Sequence, residues 1–215
     1  MNPITMKNTL RKLLLSAALA TLALPAQAHY LWLEPAAGGA ALYFGEMQNG
    51  VTEKSPGALD KMLAVRAQPQ AGGAVSGVAQ GDRVFYALPA GAVTAMQDAL
   101  PVRAGHADPR MSKTVFHARL GQGGGALPLD LIQSGKHVQV LLDGKPLPKA
   151  SLTLYSEIGW QRALRADADG RVDLALPWPG RYVLHVKHSI DASGEFDGKP
   201  YAVKNLITTL SLVQP

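Results

Sequence analysis

Hydrophobic and polar positions mostly alternate along this chain, with a period of two, which is the pattern of half-buried strands. The second half shows it most clearly. His137–Leu142 puts Val138, Val140 and Leu142 on one face, and Ser151–Tyr155 does the same with Leu152 and Leu154. Arg171–Leu176 aligns Val172, Leu174 and Leu176; Arg181–His188 aligns Tyr182, Leu184 and Val186, with His188 ending the apolar stripe. Gln161–Arg165 is a weaker strand, and Asn205–Val213 completes the set. Asp143-Gly144, Asp167-Ala168-Asp169-Gly170 and Pro177-Trp178-Pro179-Gly180 supply turns between them. In the first half Tyr30–Glu34, Ala41–Met47, Arg83–Leu88 and Thr114–Leu120 read as strands. Ala58–Val65 breaks the pattern: Leu59, Met62 and Leu63 recur at helical spacing after Ser55-Pro56, which predicts one short helix. The run Gly121-Gln122-Gly123-Gly124-Gly125 is the natural joint. The expectation is an all-β protein of two consecutive antiparallel β-sandwich domains, Ig-like or transthyretin-like, over 29–120 and 126–215, joined by a glycine linker at 121–125.

Residues 1–28 differ in kind. Lys7, Arg11 and Lys12 precede the apolar run Leu13–Leu24, and Ala26-Gln27-Ala28 has the small-x-small form of a signal-peptidase site. This is the pattern of a cleaved secretory signal, and the run is shorter than the roughly 20 residues that span a bilayer. The mature chain is therefore expected to begin at His29 in the periplasm, with no transmembrane segment. Its removal changes the charge picture. The whole chain of 215 residues carries a formal charge of +5; without the three basic leader residues, 18 Lys and Arg face 16 Asp and Glu, a net +2. These charges are scattered, which gives no electrostatic case for nucleic acid.

There is no cysteine, so thiolate metal sites are excluded and any metal must use His, carboxylate, Met or the terminal amine. A terminal His29 would offer a metal two nitrogens, its α-amine and its imidazole, which the metal must free of protons. Among the other histidines, His188 is the better-placed donor, at the mouth of its sandwich. Asp191 and Glu195, in the loop expected to follow, could reach the same mouth. His185 should point outward beside Lys187, because His-x-x-His diverges on a strand. His106 and Asp108 form a short loop pair; His117 reads as structural and His137 as exposed. The expected metal site is thus His29, His188, Asp191 and Glu195. Asp167–Gly170 has the start of a calcium loop but lacks its third acidic position and terminal Glu, so a hairpin turn is expected. No nucleophile elbow, phosphate loop or His-Glu-x-x-His helix occurs, and no catalytic residue is assigned.

Two resemblances follow from particular stretches. Residues 143–150, Asp167–Arg171 and Pro179–Leu184 resemble the transthyretin-like or carboxypeptidase-regulatory-like sandwich, a fold found with many functions. His29–Pro35, Leu42–Glu46, Tyr182–His188, Gly194-Glu195 and Thr208–Leu210 resemble the DUF4198, NikM-like family of exported proteins, labelled as the periplasmic component of cobalt/nickel uptake. That resemblance implies a periplasmic, metal-related binding protein, with a membrane transporter subunit as a partner. The sequence expectation is accordingly a non-enzymatic nickel, cobalt or copper binding protein for metal uptake or handling. Two rivals are a β-sandwich assembly module that binds no metal and a terminal-histidine copper oxidoreductase.

Overall fold

A computed structural model describes residues 29–104, 108–122 and 126–215. Residues 1–28, His106 and residues 123–125 of the glycine run lie outside them. Along the chain the strands are β1 (Tyr30–Ala36), β2 (Gly39–Glu46), β3 (Val51–Thr52), β4 (Arg66–Pro69), β5 (Val75–Ser76), β6 (Val78–Gln80), β7 (Arg83–Ala87), β8 (Val93–Gln97) and β9 (Arg103–Ala104). They continue with β10 (Met111–Leu120), β11 (Leu129–Ser134), β12 (His137–Leu142), β13 (Lys145–Pro146), β14 (Ser151–Ser156), β15 (Gln161–Arg165), β16 (Arg171–Asp173), β17 (Gly180–Phe196) and β18 (Lys199–Gln214). The segment expected to be helical forms a single 3-10 turn, Ala58–Met62, which buries Leu59 and Met62; a second such turn spans Met47–Asn49. The protein is all-β.

The strands form three sheets. A nine-stranded central sheet runs β15-β14-β17-β18-β10-β8-β4-β5, with β9 attached to β10. A five-stranded sheet runs β1-β2-β7-β6 with β3 on β2, and a four-stranded one runs β11-β12-β13 with β16 on β12. The pairings are antiparallel except one: β10 and β18 run parallel, from Ser112↔Val203 to Leu120↔Ser211. The central sheet draws strands from both sides of the glycine run, so the boundary expected at 121–125 is not where the sheets divide.

Side-chain alternation on three strands shows why. On β17, Tyr182, Leu184 and Val186 join one hydrophobic core and Val183 the other; on β18, Leu206, Leu210 and Leu212 oppose Ile207; on β10, Val115 opposes Phe116 and Ala118. One core lies against the β1 sheet and holds Leu31, Leu33, Leu42, Val84 and Tyr86; the other lies against the β11 sheet and holds Leu129, Leu131, Val138 and Val140. The central sheet is buried on both faces in its middle, and each core is shared by two sheets. Two consecutive threonines tie the layers: Thr208 donates to Leu129 O at 2.7 Å and Thr209 to Leu31 O at 2.6 Å.

The second core also encloses an ion pair. The Arg119 guanidinium, fully buried, meets Asp130 through Nε at 2.8 Å and Nη2 at 2.7 Å, and Asp130 also accepts from the backbone N–H of Leu127 and Leu131. A pair this well satisfied is near neutral for stability as a whole, but removing one member strands a buried charge. Asp130→Asn is expected to destabilise by about 3–5 kcal/mol. Leu184→Ala, in the same core, should cost about 2–4 kcal/mol. Urea unfolding measures both.

Candidate functional site

The start of β1 is where the expected chemistry meets the fold. β2 ends on Glu46; the 3-10 turn Met47–Asn49 closes on Gly50 with φ 63°, and β3 returns along β2 with Glu46 opposite Val51. The return is tight enough that a Cβ on Gly45 would lie 2.2 Å from Val51 O, so only glycine fits there. The Glu53 N–H then bonds Phe44 O at 2.8 Å, which carries the Glu53 side chain to the front of β1.

His29 sits between the two glutamates. Its Nε2 is 2.6 Å from Glu53 Oε1, and its Nδ1 is 3.5 Å from Glu46 Oε1. Glu46 is only 3% exposed. Its Oε2 accepts from Asn49 Nδ2 at 2.6 Å, while Oε1 is buried with no hydrogen-bond partner. A buried carboxylate oxygen left unpaired is costly, and one facing an imidazole nitrogen is an unusual place to find it. The ring is held from a third side by Phe44, edge-on with centroids 5.2 Å apart. Behind it Tyr30 bonds Gln48 Oε1 at 2.6 Å and accepts from Met47 N–H; burial raises its phenol well above the usual tyrosine range.

The other expected donors do not join His29. His188 follows Tyr182, Leu184 and Val186 in parity and pairs with Leu206, so it lies on the face toward the β11 sheet. His29 precedes β1, on the opposite side of the central sheet. Asp191 and Glu195 are not in a loop: β17 continues to Phe196, with an irregularity in its pairing between Asp191 and Gly194, and the chain reverses only at Asp197-Gly198. Asp191 is exposed and bridged by Arg110 at 2.8 Å, and Glu195 is exposed opposite Pro200. The His29–His188–Asp191–Glu195 arrangement is therefore corrected by the geometry: the central sheet separates the first two, and the extended hairpin carries the carboxylates away. Asp108 is likewise occupied, by Arg110 at 2.6 Å. Among the described residues no three His, Asp or Glu side chains form a ready-made metal cage. Around His29 the two carboxylates flank opposite nitrogens instead of converging.

Glu46 and Glu53 were not picked out as donors by sequence reasoning. Glu46 had a signal, a charge ending the otherwise apolar Leu42–Gly45 run; Glu53 had none.

The remaining histidines have structural settings. His137 is exposed on Asp173 at 2.6 Å, and Asp167 Oδ1 caps its own turn by accepting from Asp169 and Arg171 N–H, as a hairpin would. His185 faces the β1 sheet, not open solvent: its ring is 5.3 Å from Tyr30 and 6.1 Å from Tyr155, and burial followed by the Lys187 charge pushes it down to about 4. His117 is fully buried. Its Nδ1 is 3.0 Å from Thr208 Oγ1, whose single proton already goes to Leu129 O. Nδ1 must then be the donor, which leaves Nε2 bare and unpaired. That tautomer is neutral, and desolvation with the Lys204 charge holds His117 down to about 4.

Comparison with known proteins adds no relative to this picture: no family model matches the chain, and no curated protein or solved structure is detectably similar to it.

His117 yields a pH prediction. Its imidazole titrates at about 6.5 when unfolded and about 4 when folded, so the unfolded chain gains the proton first. The stability it contributes is complete above about pH 6.5 and is lost as pH falls toward 4, at about 1.4 kcal/mol per pH unit. His185, also pushed down to about 4 by burial, acts in the same direction. His117→Leu should flatten the decline between pH 6.5 and 4.5, as read from urea unfolding at several pH values.

Proposed function

We propose that the protein, exported and processed after Ala28, binds one divalent transition-metal ion at its own N-terminus. Nickel, cobalt or copper is held by the α-amine and Nδ1 of His29, with Glu46 Oε1 as the third donor. The observation that carries this reading is the unpaired, buried Glu46 oxygen facing His29 Nδ1. A terminal histidine chelates through that same nitrogen and the amine, and a cation there would satisfy the orphaned carboxylate.

Glu53 has a different part. By accepting the Nε2–H proton it leaves Nδ1 as the lone-pair nitrogen, the carboxylate–histidine–metal relation that fixes tautomer and ring orientation. Phe44 limits ring rotation. An all-nitrogen-and-oxygen set suits copper(II) or nickel(II), and copper binds most tightly in solution whatever the natural cargo. Two further supports are the secretory pattern of residues 1–28 and the likeness of His29–Pro35 and Leu42–Glu46 to exported, metal-related proteins. The function is binding without turnover: the protein carries or withholds a metal in the periplasm, with a membrane transporter subunit as the natural recipient.

The test is calorimetric titration of protein beginning at His29 with copper(II) and nickel(II). One equivalent should bind. A single alanine placed before His29 should weaken binding sharply, because it moves the amine out of chelate geometry. Glu46→Gln should also weaken it, Glu53→Gln by about 10–100-fold, and His188→Ala not at all. Affinity should fall in acid, as protons compete for the donors. Unchanged affinity in both the extended chain and Glu46→Gln would overturn the site.

A further inference from the structure

A cavity of about 490 Å³ lies between the 3-10 turn Ala58–Met62, the segment 97–103 and the face of β10. We propose that it binds a small monocarboxylic acid with an aliphatic or aromatic body. Its floor and walls are apolar: Phe44, Met62, Leu100 and Phe116, with Phe44 and Phe116 edge-on at 5.9 Å. The volume is in the range of small-molecule sites, about 300–1,000 Å³.

The polar groups in the wall decide what enters. Gln97 is spent on the protein itself, its amide donating to Lys61 O and its carbonyl accepting from Ala99 N–H at 2.8 Å. Ser112 is spent on Arg103 O at 3.2 Å. A sugar or other neutral, hydroxyl-rich ligand would lose its water bonds there and find little but the Thr114 hydroxyl in exchange. The charges at the rim, Lys61 and Arg103, are both cationic and exposed, and among the described residues neither has an acidic partner. An apolar body with one negative end matches both features: the body fills the cavity and the carboxylate meets the two cations. Only the Phe44 wall is shared with the surroundings of His29, so this ligand and the metal ion are separate occupants.

The mature chain with 13C-labelled methionine methyls provides the test, using octanoate and octanol as probes. Octanoate should produce a saturable shift of the Met62 methyl, with octanol at least tenfold weaker. Lys61→Glu combined with Arg103→Glu, both at exposed positions, should erase that preference. Ala64→Trp, at the exposed rim, should block both probes, and His188→Ala, on the other face of the central sheet, should change neither. Absence of a saturable Met62 shift in the parent protein, equal affinity for the two probes, or undiminished binding in Ala64→Trp would each overturn the proposal, whatever the metal titration shows.

Discussion

The parallel pairing of β10 with β18 is the constraint on which the other layers rest. It places β18 in the middle of the central sheet, with β17 on its other side, so that neither edge nor face of its middle is free. Every residue from Leu206 to Leu212 is buried. Alternate side chains serve opposite cores, and the polar members at 208 and 209 are admitted because each hydroxyl bonds a carbonyl of a covering sheet. Those two bonds fix how β1 and β11 sit on the faces, which apolar contact alone would leave free to slide. With β1 located, the tight β2–β3 return delivers Glu46 and Glu53 to His29.

Ionic contacts add orientation more than energy. Arg119–Asp130 sits in a core that would tolerate apolar replacements, but its two-pronged geometry, reinforced by two backbone N–H groups, pins β11 of one sheet to β10 of the other. Arg181 bridges Glu34 of β1, which is buried, and Glu157 just past the end of β14, which is exposed. Hydrogen bonds to Arg181 hold the Glu157 carboxyl below the usual carboxylate range. Trp32 Nε1–H completes the Glu34 shell at 3.0 Å.

Much of the strand content was legible because alternation survives wherever one face is buried: Val138 and Val140, Leu152 and Leu154, Leu184 and Val186 all point to the core their parity indicates. What alternation could not show was a second core on the other face. Val183 and His185 read as an outward face because one histidine and one lysine accompany a single valine, yet Tyr30 and Tyr155 cover that side. The stretch around Asp191 and Glu195 read as a loop because acidic and small residues interrupt its apolar pattern; it is strand to Phe196, held mainly by hairpin pairing with β18. The glycine run looked like a domain joint, and sequence pattern carries no information about a pairing between strands on either side of it. Of the candidate site, His29 was picked out by the secretory pattern of residues 1–28 that precedes it. Of its carboxylate partners, Glu46 at the end of β2 carried a signal that went unused, and Glu53 carried none, because it arrives through a turn and a two-residue strand.

The central position of β18 also governs how the chain can reach its final form. Contacts such as His117 with Thr208 join residues 91 apart in sequence. Neither core can close until that late strand has threaded between β17 and β10, so loop-closure entropy is spent before most burial is gained. During that interval β10 offers an open strand edge with apolar residues on both faces, the kind of surface on which chains aggregate. Until the last strand docks, β10 is the edge most in need of cover.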